Sequence, residues 1–131
     1  VMVSWYGATA FCNYYGYRLP TEWEWQAVAD YDGSYIYGCG TTIDSGKANY
    51  NYANPLGMVT FPYTSPVGYY PAYGYGMCDM AGNAWEWTSS YIGYRIRRGG
   101  GWGSDDGTLV SARLSGDSSH VSFDTGFRVC R

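Results

Sequence analysis

Asp79-Met80-Ala81-Gly82-Asn83-Ala84-Trp85-Glu86-Trp87 sets two carboxylates, an amide, several small residues and two indoles within nine positions. Hard cations such as calcium take oxygen ligands from carboxylates and backbone carbonyls together. A turn with Asp79 and Glu86 near its ends, and Gly82 and Ala84 free to aim carbonyls inward, offers such a set. The two tryptophans would anchor it to an apolar core. The competing reading has Asp79 capping a turn and Glu86 pairing with an arginine such as Arg98.

Working outward, Ser4 can cap a helix whose Trp5, Ala8, Cys12 and Tyr15 share one face, with Gly16 ending it. Thr21-Glu22-Trp23-Glu24 is a capping box. It predicts a second helix that turns Trp23, Ala27 and Val28 inward and stops within 30–33. Over 32–77 no periodicity lasts, and a span that long inside a compact domain points to functional or ion-pinned loops. Short strands are expected at 94–98, 109–114 and 127–129, the last with Arg128 outward. The order predicts an α+β fold, loop-rich, with two helices packed on a small antiparallel sheet.

A chain of 131 residues suits one domain. Aromatics at 20% exceed charged residues at 15%, which excludes the composition of a disordered chain. The net charge is −3 and basic residues gather only at Arg95, Arg97 and Arg98, so no nucleic-acid partner is expected. No apolar run approaches the roughly 20 residues of a membrane span. Tyrosines such as Tyr14, Tyr15, Tyr52 and Tyr75 are either loop filler or an adhesive surface, since the ring is flat, amphipathic and cheap to order. The four cysteines lack zinc spacing and admit three pairings if all are oxidised. A Cys39–Cys78 disulfide would staple the loop region to the core, whereas Cys12 reads as a buried small hydrophobe.

With Val3-Ser4-Trp5, Arg18-Leu19-Pro20-Thr21-Glu22-Trp23-Glu24-Trp25, Arg98-Gly99-Gly100-Gly101-Trp102 and Gly126-Phe127-Arg128-Val129, the chain resembles the sulfatase-modifying-factor domain family. That is the domain of formylglycine-generating enzyme, a variant of the C-type-lectin-like fold. The resemblance implies calcium held by Asp79, the carbonyls of Gly82 and Ala84, and Glu86. It implies a second calcium site at Asn49 and Tyr50, whose later Asp is missing from the short Phe61-Pro62-Tyr63-Thr64-Ser65-Pro66. It further implies one domain over 1–131 with strands upstream of Val3, where only Val1 and Met2 stand. Either that segment is trimmed or a partner supplies it across an open sheet edge.

Catalytic members, the resemblance implies, bind copper through two cysteines after the block matched by Arg98–Trp102. Thiolates suit Cu(I), and residues 102–113 contain none. Ser104 and Asp105 cannot replace them, and Asp105, Asp106 and the single His120 read as a solvated turn. The function expected is a non-catalytic, calcium-stabilised, lectin-like binding or display domain, extracellular or at the cell surface. Its ligand face, within 102–119, presents Trp102, Ser104, Asp105, Asp106, Arg113 and Asp117 to a glycan or peptide. The alternative role for Arg113 is to hold a loop carbonyl. One rival function is a filament or sheath subunit that self-associates through an open sheet edge. The other is a copper- and oxygen-dependent formylglycine-generating oxidase.

Overall fold

The computed structural model describes residues 1–105 and 108–131. Helix α1 (Trp5–Tyr15) starts where Ser4 Oγ accepts the Gly7 amide, and it ends at Gly16 in the left-handed conformation. Ala8 and Cys12 bury against Leu19 and Trp87. Tyr15, expected inward, is exposed.

Helix α2 (Glu22–Ala29) carries the full capping box: Glu24 N donates to Thr21 Oγ1 at 3.1 Å, and Thr21 N donates to Glu24 Oε2 at 2.8 Å. Arg18 grips the same carboxylate at 2.7 and 2.8 Å, which with the Thr21 bonds lowers the Glu24 pKa to about 2. Its buried face differs from the expected one. Glu22, Trp25 and Ala29 point inward, Val28 is half-buried, and Trp23 and Ala27 are exposed. The cause is Glu22, drawn into the interior by Arg98 at 3.3 Å and by Arg113. That rotation brings Trp25 and Ala29, three and seven positions on, to the core.

The sheet runs β3-β2-β1-β4, with β1 Trp85–Tyr91, β2 Arg95–Arg98, β3 Leu114–Gly116 and β4 Thr125–Phe127. It is mixed rather than antiparallel: β1 pairs β2 and β2 pairs β3 antiparallel, while β4 lies parallel to β1 with Glu86 opposite Gly126. Strand β1 carries no period-2 signal because Trp85, Glu86, Trp87 and Thr88 are all buried. The third strand begins at Leu114, the last residue of the expected 109–114, and Leu109 makes only an isolated bridge to Tyr37. The last strand starts two residues before the expected 127–129 and shares only Phe127 with it. Arg128 turns inward to Glu86 instead of outward.

The long loops pack through small residues, Cys39 and Ala48 against Ala81. Gly38 permits this, because a Cβ there would meet the Met80 carbonyl oxygen at 2.3 Å. The expected Cys39–Cys78 disulfide is not formed: all four cysteines are free thiols, and Cys39 Sγ faces Thr42 O at 3.8 Å. No helix among the described residues is long and apolar enough to cross a membrane.

Glu22 is 2% exposed and balances Arg98, which is 1% exposed. Glu22→Gln strands that guanidinium without a counter-charge and is expected to cost about 3–5 kcal/mol in urea unfolding.

Candidate functional site

The bend at 79–84 is held from four directions. Asp79 and Asn83 adopt left-handed backbone, at φ 56° and 67°, which these two residue types tolerate better than most. Gly82 N donates to Gly99 O at 2.7 Å, and Asn83 N to Asn49 O at 2.7 Å. Trp102 N donates to Asn83 O, and Trp85 N to Asp124 O. Inside, Asn83 Oδ1 accepts Ser65 N at 2.9 Å and Asn49 Nδ2 at 3.2 Å. The bend exists because distant backbone saturates it.

Asp79, Gly82, Ala84 and Glu86 all line one open cavity of about 450 Å³, with Ser65, Cys78 and Arg128 around them. Glu86 accepts from Trp25 Nε1 at 2.6 Å and from Arg128 Nε and Nη2. Its arginine partner is therefore Arg128, not Arg98, which serves Glu22. Arg128 Nη2 also donates to the carbonyls of Cys78 and Asp79, at 3.2 and 3.3 Å. Asp79 Oδ2 accepts the Gly68 amide at 2.9 Å. Burial raises the Asp79 pKa, and Glu86 adds to this; Gly68 and Arg128 offset it only in part. The carboxylates of Asp79 and Glu86 thus face the single guanidinium of Arg128 in the cavity lining, Glu86 bonded to it and Asp79 only within its field.

That donor set fits a hard cation: an ionised carboxylate has about four lone-pair directions, so Glu86 retains acceptor capacity beside its present donors. Among the described residues no three His, Cys, Asp or Glu side chains cluster as a metal group. A cation here would rest on the carbonyls of Gly82 and Ala84 as well. Asn49, the first residue of the second implied site, is fully buried with Oδ1 lacking any donor. An orphaned acceptor costs about 1–3 kcal/mol, which a bound cation would offset. The Tyr50 carbonyl accepts Ala53 N at 2.9 Å.

The six residues expected to form one ligand face are dispersed. Trp102 is buried, beside Ser104, whose Oγ accepts Gly101 N at 3.0 Å, and exposed Asp105. Arg113 instead pairs with Glu22 at the start of α2. Asp117 closes its own turn by accepting the Ser119 amide and hydroxyl, which lower its pKa. Asp106 lies outside the described residues. What surrounds Trp102 is aromatic: Phe61 stacks on it at 5.1 Å, and Tyr52 and Tyr63 meet it edge-on at 5.4 and 5.0 Å. Phe123 stands 6.4 Å from Phe61, and Tyr52, Phe61 and Phe123 are exposed. Only the surplus of aromatic residues in loops hinted at this shelf.

The sulfatase-modifying factor enzyme 1-like domain matches residues 1–131, the entire chain. The chain belongs to that family. It is 34% identical over 155 residues to the serine/threonine-protein kinase pkn1 of Chlamydia caviae, covering 100% of this chain and 24% of the kinase. It is 34% identical over 146 residues to the inactive C-alpha-formylglycine-generating enzyme 2 of Bos taurus, covering 98% of this chain and 48% of that protein. The chain therefore spans between a quarter and a half of these relatives. The fold also matches Treponema denticola variable protein 1, with TM-score 0.83 at 23% identity, covering 98% of this chain and 69% of that one. The C-type-lectin-like α+β architecture expected of the family is the one observed.

Gly82 sits at φ 73°, where a Cβ would meet Asn49 O at 2.3 Å. Gly82→Ala is expected to destabilise by more than about 2 kcal/mol, read by chemical denaturation, because it parts the two loops at their contact.

Proposed function

We propose that this domain is a non-catalytic, calcium-stabilised binding or display module of the sulfatase-modifying-factor family. The observation that carries this reading is the convergence of Asp79, Glu86, Gly82 and Ala84 on one cavity that holds two carboxylates and a single guanidinium. Calcium would be held by those residues, supplying charge and coordination that lock the bend. Asn49 and Tyr50 are the candidate second set. Millimolar calcium outside the cytoplasm would keep even a weak site filled, so we place the domain in an extracellular or cell-surface setting.

Two features support a binding role over catalysis. Residues 102–113 contain no cysteine to hold copper. The similarity to a mammalian relative named as inactive points the same way. The ligand surface we propose is the aromatic shelf of Tyr52, Phe61 and Phe123 around Trp102, bordered by Ser104 and Asp105. Exposed rings offer faces for a sugar or for the side chains of a peptide, while the border supplies directional hydrogen bonds. Copper-dependent turnover of a cysteine peptide by this chain would overturn the non-catalytic reading.

Calcium is expected to raise the melting temperature relative to EGTA, and equal melting in both would refute calcium stabilisation. The sign of its pH dependence follows from Asp79. Because the folded pKa is raised, the calcium-free protein loses stability as pH climbs from the unfolded carboxylate value through the raised one. Calcium takes the ionised carboxylate, so its affinity grows across that window. Asp79→Asn, which keeps the backbone preference and removes the charge, is expected to weaken calcium binding roughly tenfold and to flatten this dependence, read by calorimetric titration.

A further inference from the structure

Trp23 stands 62% exposed on the outer face of α2, although an indole is among the largest apolar surfaces a chain can bury. Two cations lie beside it: the guanidinium carbons of Arg98 and Arg113 are each 5.8 Å from its ring centroid, within cation–π reach. Glu22 is the carboxylate paired with both. Two positive charges against one negative leave this cluster at +1, in a chain whose net charge is −3. Arg113 presents the surplus, since its side chain is 39% exposed and that of Arg98 only 1%. Among the described residues Arg113 is engaged through Nη2 alone, which leaves Nε and Nη1 for a ligand. One turn along α2 from Trp23, Gln26 borders an open cleft of about 300 Å³ with Ser111, Tyr35 and Asp30. Gln26 Oε1 accepts Arg98 Nη2 at 2.6 Å, so its amide nitrogen is free to donate.

We propose that Trp23 and Arg113 form a subsite for a terminal acidic sugar, its ring on the indole and its carboxylate on the guanidinium. The subsite shares no residue with the cavity at Asp79 or with the aromatic shelf. Surplus positive charge selects an anion, and the planar fork of arginine suits a carboxylate. The flat apolar indole selects a ring to carry it. An extended peptide is the poorer occupant, because it relies on main-chain bonds that are already made here. The carbonyls of Val110 and Ala112 accept from Arg98, and their amides donate to Ile36 O and Leu109 O. Polarity along the cleft sets the direction of the bound chain. Asp30 lies seven residues beyond Trp23, about 10 Å along the helix and near a full screening length away. There it repels a second carboxylate but accepts from sugar hydroxyls. The acidic residue therefore sits at the Trp23 end, and neutral sugars run towards Gln26 and Asp30.

Titration of the isotope-labelled full chain with sialyllactose, followed by NMR at the Trp23 indole N–H, tests this. Trp23→Phe identifies that resonance by its loss. Saturable shifts are expected with a Kd of about 1 mM, the weak range of exposed contacts. Lactose, which lacks the carboxylate, should bind roughly tenfold more weakly. Trp23→Ala, followed through the sugar's own resonances, should bind roughly tenfold more weakly as well. Ala27 is exposed one turn from Trp23 and tests the charge from outside the subsite. Ala27→Glu should weaken binding about threefold and Ala27→Lys strengthen it by a similar factor, both with unchanged far-ultraviolet dichroism. Equal binding of lactose, shifts that bypass the Trp23 indole, folded Ala27 variants that bind alike, or tighter binding of an acidic peptide would each overturn the proposal.

Discussion

The buried carboxylate of Glu86 is the contact on which the remaining arrangement rests. It accepts the Trp25 indole from α2 and the Arg128 guanidinium from beyond β4, while its own backbone lies in β1 between β2 and β4. Arg128 then reaches the carbonyls of Cys78 and Asp79. One ionised group thereby joins helix, sheet, chain end and loop entrance. A buried ion pair contributes little net stability over an apolar substitute, but its directional bonds penalise every arrangement that leaves a charge unpaired. Here it selects one docking of α2 against the sheet.

A second buried carboxylate organises the opposite flank by the same rule. Glu22 answers both Arg98 and Arg113, and Arg98 also donates to the carbonyls of Val110 and Ala112 at 3.0 and 2.8 Å. The segment before β3 buries Val110 against Trp25, Ala29 and Met80, and these donors to its backbone oxygens hold it there. Loops without periodicity are fixed in the same currency at the bend, through Asn49, Ser65 and Asn83. The indoles add cross-ties: Trp5 Nε1 reaches Thr88 O and Trp87 Nε1 reaches Val3 O, both at 2.9 Å.

The cavity and the aromatic shelf share a wall, since Trp102 N bonds to Asn83 O within the bend. Trp102 is also the ring on which Phe61 stacks. A cation held at Asp79 as proposed would thus be one backbone hydrogen bond from the proposed ligand surface.

By itself the sequence determined both helices and their caps, because Ser4, Thr21, Glu24 and Gly16 act on amides and carbonyls within four or five positions of themselves. It also marked Asp79 through Glu86 as one local acidic bend, since they are neighbours in the chain. The direction of α2, the parallel placement of β4 and the inward turn of Arg128 were decided only in the tertiary structure. Each depends on a charge partner distant in sequence: Arg113 is 91 residues from Glu22, and Arg128 is 42 from Glu86. Hydropathy assigns such side chains to solvent, and only the folded chain supplies the counter-charge that makes burying them favourable. The aromatic shelf belongs to the same class, because its rings come from segments brought together by the bend rather than by any repeat.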